Sequence, residues 1–99
     1  MLSRTLEEAL NRQVNRELYS SYLYLAMSAY FETLNLKGFA GWMLVQSNEE
    51  RTHAMKFYDY IIARQGKVVL DAIEAPKTKW SSAGKVFDEV YAHEQKVTG

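Results

Sequence analysis

The sequence predicts an all-α chain: an antiparallel pair of long helices, a long connection, and a third helix. Three observations carry this. Pro occurs once and Gly five times in 99 residues, so little interrupts the backbone. Neither occurs between residues 5 and 33. Apolar and small residues recur there in steps of three and four, the period of a helix face and not of a strand.

The first helix is expected over about residues 5–33. Thr5-Leu6-Glu7-Glu8 reads as a capping box, in which the Thr5 hydroxyl accepts from the Glu8 amide and the Glu8 carboxylate reaches back. One stripe runs Leu6, Leu10, Val14, Glu17, Ser21, Tyr24, Ser28, Phe31; a second runs Leu18, Tyr22, Leu25, Ala29. Residues 18–31 are thus apolar or small over most of the circumference, as in a helix packed by more than one neighbour. After a short break at Asn35-Leu36-Lys37-Gly38, a second helix is expected over about 38–65, with the stripe Phe39, Met43, Gln46, Glu50, His53, Phe57, Tyr60, Arg64. Gly66 reads as its left-handed C-cap. At 1.5 Å rise per residue each helix is about 40 Å long, and the short link makes the pair an antiparallel hairpin.

Residues 66–81 hold the only Pro, Pro76, and the cluster Val68-Val69-Leu70 without helical spacing. This reads as an ordered crossover long enough to carry the chain between the two ends of a bundle. Ser81 or Ser82 then caps a third helix over about 82–98 with the stripe Ala83, Phe87, Val90, Glu94, Val97. This segment either docks on a neighbour's hairpin or frays; Phe87 and Val90, which would otherwise expose an apolar face, argue that it docks. Seven Tyr, four Phe and two Trp are many large rings for a domain near the lower size limit for an independent core, which points to burial by association.

Composition narrows the function. Twelve Lys and Arg balance twelve Asp and Glu, and the pI is 6.7, well short of the pI above about 9 that marks a nucleic-acid-binding domain. No nucleic-acid partner is expected. No apolar run reaches the roughly 18 residues that span a bilayer, and charges occupy the N-terminus where a signal peptide is apolar; no membrane role and a cytoplasmic location are expected. Without Cys there are no thiolate ligands, so any metal falls to Glu, Asp and His.

Three of these stripes, one on each helix, contain an acid at mid-height: Glu17, Glu50 and Glu94. A lone buried carboxylate is costly to ionise, and three facing one interior need cations. His53 follows Glu50 by three residues on the same face, so Glu50-x-x-His53 offers an oxygen and a nitrogen to one point. That mixed donor set suits iron, zinc or manganese better than calcium. Di-iron carboxylate bundles use one Glu from each of two helices and Glu-x-x-His from each of the other two. From the pattern alone, a chance Glu-x-x-His on a solvated face stays open beside the metal site.

Three segments go further. Asn15-Arg16-Glu17-Leu18-Tyr19-Ser20-Ser21-Tyr22-Leu23-Tyr24 resembles the first helix of bacterial non-haem ferritins. Glu49-Glu50-Arg51-Thr52-His53-Ala54-Met55-Lys56 resembles the EExxHAxK segment of their second helix, and Tyr91-Ala92-His93-Glu94-Gln95-Lys96-Val97-Thr98 the start of their third. The resemblance covers essentially the whole chain with the segments in register. It implies a ferritin-like four-helix bundle, here truncated within the third helix and completed by association into a homo-oligomer. It implies iron storage through a di-iron ferroxidase centre, with ferrous iron oxidised by dioxygen or peroxide and laid down as ferric mineral. Glu17, Glu50 and His53 would hold the first iron, Glu50 bridging; Glu94 would hold the second; Glu49 would serve a third, inner site or be a solvated acid. Tyr24 would bond a ligand and donate an electron, or be a satisfied core ring. His93 is expected on the surface, and Tyr19, Tyr22, Tyr30 and Phe31 in packing between helices and subunits. The family's fourth helix has no counterpart in this sequence. That leaves a second function open: a helical module that oligomerises but has lost efficient oxidation. Two hairpins about a two-fold axis would alternatively rebuild a full ligand set from Glu17, Glu50 and His53 of each chain.

Overall fold

The computed structural model describes residues 2–98, and side chains as far as Lys96; Val97, the last member of the third expected stripe, lies outside the residues whose side chains are described. Three α-helices follow one another: α1 (Arg4–Thr33), α2 (Lys37–Ala63) and α3 (Ala83–Thr98), with no strand among the described residues. Ser3, not Thr5, caps α1: its Oγ accepts from the Leu6 amide at 3.2 Å, and its carbonyl accepts from the Glu7 amide. The helix starts a turn-fraction early because Ser3 holds the extended backbone that a cap needs. Ser82 caps α3, its Oγ accepting from the Lys85 amide at 3.3 Å.

Both long helices stop in the same way. Asn35 (φ 58°) and Gln65 (φ 62°) take the left-handed conformation just past the C-caps. Their amides donate to Glu32 and Ile62, and the next amides, of Leu36 and Gly66, donate to Phe31 and Ile61. These are Schellman closures. Gly66 is therefore not the left-handed residue. Its role is close approach: a Cβ there would stand 2.9 Å from Ile61 Cγ2 and from Leu2 Cδ1.

α1 and α2 run antiparallel. Ser28 Oγ donates to the Ala40 carbonyl at 2.8 Å, and Ser47 Oγ to the Ser21 carbonyl at 2.7 Å. The α2 face against α1 is Ala40, Met43, Ser47, Glu50, Ala54 and Ile61. This is rotated from the expected stripe: Phe39 and Tyr60 are exposed, and small residues at 40, 47 and 54 let the backbones close on each other. On α1 the second buried row is Ser20, Leu23 and Met27, whereas Tyr22 and Leu25 of the expected second stripe are exposed.

The crossover lies on α1 along its length. At one end Asn11 clasps it, its amide nitrogen donating to the Lys67 carbonyl (2.9 Å) and its Oδ1 accepting from the Val69 amide (2.8 Å), while Glu7 Oε1 accepts from the Lys67 amide (2.7 Å). At the other end Trp80 is buried, Tyr30 Oη donates to its carbonyl (2.8 Å), and its indole donates to Glu89 (3.0 Å). The chain thus returns to the Tyr30 end and α3 descends antiparallel to α1. Phe87 packs on Phe31, Phe39 and Trp42, and Val86 is fully buried. The core forms two clusters, one around Tyr24, Met27, Phe31, Met43 and Val86, the other around Val14, Ala54 and Ile61. Between them lies a layer holding Glu17 and Glu50. No helix among the described residues is long and apolar enough to cross a membrane.

Candidate metal centre

Glu17 of α1 and Glu50 of α2 face each other across the hairpin, 5% and 8% exposed. His53, one turn after Glu50, brings its ring to the open side of the pair. Its Nδ1 stands 3.6 Å from Glu17 Oε2 and 3.5 Å from Glu50 Oε2. One ligand atom from each of the three residues lies within 4.8 Å of the others. Glu17 Oε1 accepts from Gln13 Nε2 at 3.1 Å, but Oε2 is buried without a hydrogen-bond donor. Two carboxylates and an imidazole edge with an orphan oxygen need a proton or a cation between them. Oxygen and nitrogen donors in this mix fit iron, zinc or manganese. For His53 to ligate through Nδ1 its proton must sit on Nε2.

Electrostatics fit the geometry. Burial, then the hydrogen bond that a protonated Glu50 could give Glu17 and the charge of Glu17, then the charges of Glu94 and Glu49, push the Glu50 carboxyl up to about 8 from its ordinary 4.5. The folded, metal-free chain thus holds a proton that the unfolded chain releases near pH 4.5. The stabilisation is complete below that pH and is lost as pH rises through about 8. In chelator, the Tm should fall by on the order of 5 °C or more between pH 5 and pH 8, and the fall should flatten in Glu50→Gln. A thermal melt series over that range checks it; a Tm that rises with pH in the parent contradicts it.

Tyr24 is fully buried and its Oη donates to Glu94 Oε1 at 2.5 Å. Burial, that hydrogen bond and the charges of Glu94, Glu50 and Glu17 push its phenol far above the usual range, so it stays a donor. Glu94 is half-buried on α3, near enough for its charge to act on Glu50, but it stands outside the converging trio. Glu49 is exposed beside a shallow depression that it shares with Asn48, Thr52 and His53, and the structure does not bring it into the trio.

His93 is not the surface residue that its angular distance from Glu94 suggests. It is half-buried, bonds Ser20 Oγ through Nε2 at 2.7 Å, and meets the rings of Tyr19 and Tyr24 edge-on. α3 lies in a groove where both 93 and 94 face α1, so one turn of helix presents two inward side chains. Gln13 was also not legible as part of the site; its spacing of four before Glu17 was the only signal.

A helical hairpin with two buried carboxylates and a histidine meeting between its apolar clusters has the donor set of a carboxylate–histidine bundle that could hold a metal ion. Comparison with known proteins gives the family. Residues 7–99 match the ferritin-like domain, and the chain belongs to the ferritin family. It is 45% identical over 98 residues to a bacterial non-heme ferritin of Bacteroides fragilis and 43% identical to one of Staphylococcus saprophyticus, in each case over 99% of this chain. It spans 62% and 59% of the length of those relatives. It also superposes on an open pore ferritin of the archaeon Archaeoglobus fulgidus (TM-score 0.96, 50% identity, 99% of this chain and 60% of that one). A humanized archaeal ferritin gives a TM-score of 0.96 at 48% identity, with the same coverage.

Proposed function

We propose that this chain takes ferrous iron as its substrate and cargo, oxidises it in pairs, and passes ferric product to storage as mineral. The observation that carries this is the trio Glu17, Glu50 and His53, with its buried, donorless Glu17 Oε2. Membership of the ferritin family and the similarity to non-heme ferritins support it. Glu17 Oε2, Glu50 and His53 Nδ1 hold the first ferrous ion. Glu50 reaches from it towards a second ion on the Glu94 side, and Glu94 holds that ion. Tyr24 holds the Glu94 carboxylate through Oε1. Anionic oxygens stabilise ferric over ferrous iron and so favour oxidation. Two ferrous ions give up one electron each; dioxygen takes both with two protons and leaves as hydrogen peroxide, or hydrogen peroxide takes both with two protons and leaves as two waters. Glu49, at the exposed rim beside His53, offers a carboxylate to iron leaving the pair.

Stopped-flow oxidation of ferrous iron tests this reading. The parent should show a saturable, fast phase with ferric absorbance. Glu94→Ala should slow it about 10-fold or more while anaerobic binding of a first ferrous ion persists. Equal rates in parent and Glu94→Ala would remove Glu94 from the site and favour the site built from two chains.

Self-association belongs to the same proposal. Tyr22 and Leu25 stand 49% and 46% exposed on one face of α1, and Leu44, Val45 and Ile62 are exposed on α2. Copies of the chain cover such faces by burying apolar area. Sedimentation at micromolar concentration should give a mass above 11.4 kDa. A monomer of that mass with a cooperative melt contradicts it.

A further inference from the structure

Glu17 has two oxygens with different surroundings. Oε1 accepts from Gln13 Nε2 at 3.1 Å. Oε2 is buried, has no donor, and faces His53 Nδ1 at 3.6 Å. Gln13 lies one turn before Glu17 on α1, half-buried at the edge of a 540 Å³ cavity between α1, the crossover and α3. A carboxylate accepts only, so the Gln13 amide must turn its nitrogen to it, and that fixes the carboxylate plane.

We propose that Gln13 is a positioning residue for the metal centre: its amide occupies Glu17 Oε1 and so commits Oε2, as a single oxygen, to the ion. The inference rests on the reading of Glu17 as a ligand. Partners that orient ligands in this way tune metal sites without touching the metal. Without the amide, Glu17 is free to turn, to accept water at Oε1, or to offer both oxygens to one ion. Each lowers the fit of the first ligand set.

The test uses cobalt(II) as an air-stable probe, titrated into the metal-free chain and read by its d–d absorption bands. Gln13→Met keeps length and helix preference but removes the donor. It should lower cobalt affinity about 10- to 100-fold and change the intensity of the d–d bands, with the Tm of the metal-free chain little altered. In a Glu17→Ala background the same substitution should have no further effect on affinity, because its effect runs through Glu17. Gln13→Ala serves as a second donor-free variant and should repeat the result. Normal affinity and spectrum in Gln13→Met, with affinity lost in Glu17→Ala, would overturn the positioning role and leave the metal site standing. A loss of the same size in both backgrounds would also overturn it. Unchanged affinity in Glu17→Ala would sink the metal-site reading and this inference with it.

Discussion

Glu50→Ala is expected to lower ferrous affinity by more than about 100-fold and to abolish the fast oxidation phase. Loss of a residue that merely orients a ligand costs about 10- to 100-fold, and in the proposed site Glu50 is itself a ligand that serves both ions. The same site predicts an opposite effect on stability. Glu50 is buried against Glu17, and its carboxyl is pushed up to about 8 by burial and by its acidic neighbours. At pH 8 the metal-free chain bears the cost of ionising it there. Glu50→Gln keeps the shape and removes the charge, so it should raise the Tm at pH 8 and leave it nearly unchanged at pH 5. A core residue of ordinary kind loses stability when replaced; a residue retained for function against stability gains it. Anaerobic ferrous titration and melts in chelator read the two effects separately. A Glu50→Gln chain that binds iron normally, or that is less stable than the parent at both pH values, contradicts the assignment.

Phe31→Ala should cost about 3–5 kcal/mol, the largest loss of stability at any single position. Phe31 is fully buried near the α1 end and packs its ring against Phe39 of α2 and Phe87 of α3, at centroid distances of 5.4 and 5.5 Å. It touches side chains of both other helices. α3 is short and marginal by itself, so its docking depends on this cluster and on Val86. A domain of this size holds about 5–15 kcal/mol in total, so the loss takes a large share. Urea unfolding gives the energy, and amide exchange gives its distribution. Residues 83–96 should lose protection first, and with them the bond from Tyr24 to Glu94. A loss below about 1 kcal/mol, or uniform protection across α3, contradicts this account of docking.

The sequence carried most of the architecture, because absence of Gly and Pro and a 3.6-residue period act locally. It carried the acids for the same reason: Glu17 and Glu50 stand at positions where Leu is expected, and in the fold they meet. Less legible was the rotation of α2. Its contact face is marked by Ala40, Ser47 and Ala54, and a reading by hydrophobicity favours Phe39 and Tyr60 over small residues that matter through close approach. Two of the expected caps differ for a related reason, whereas Ser82 caps α3 as expected. Thr5 and Ser3 both fit an N-terminus, and only the backbone decides; Gly66 looked like the left-handed residue, whereas Gln65 takes that strain and Gly66 relieves a contact. His93, Ser20 and Gln13 were out of reach because their partners lie on other elements or become visible only once Glu17 has a fixed orientation. The long-range clasp of Asn11 on the crossover, 56 residues away, has no local signature.

The central claim is that Glu17, Glu50 and His53 together hold ferrous iron. Anaerobic titration of the metal-free chain with ferrous iron, beside the triple variant Glu17→Ala, Glu50→Ala, His53→Ala, tests it most directly. The account predicts saturable binding in the parent and its loss in the triple variant, with both chains folded by circular dichroism. Equal binding in the two folded chains would contradict it.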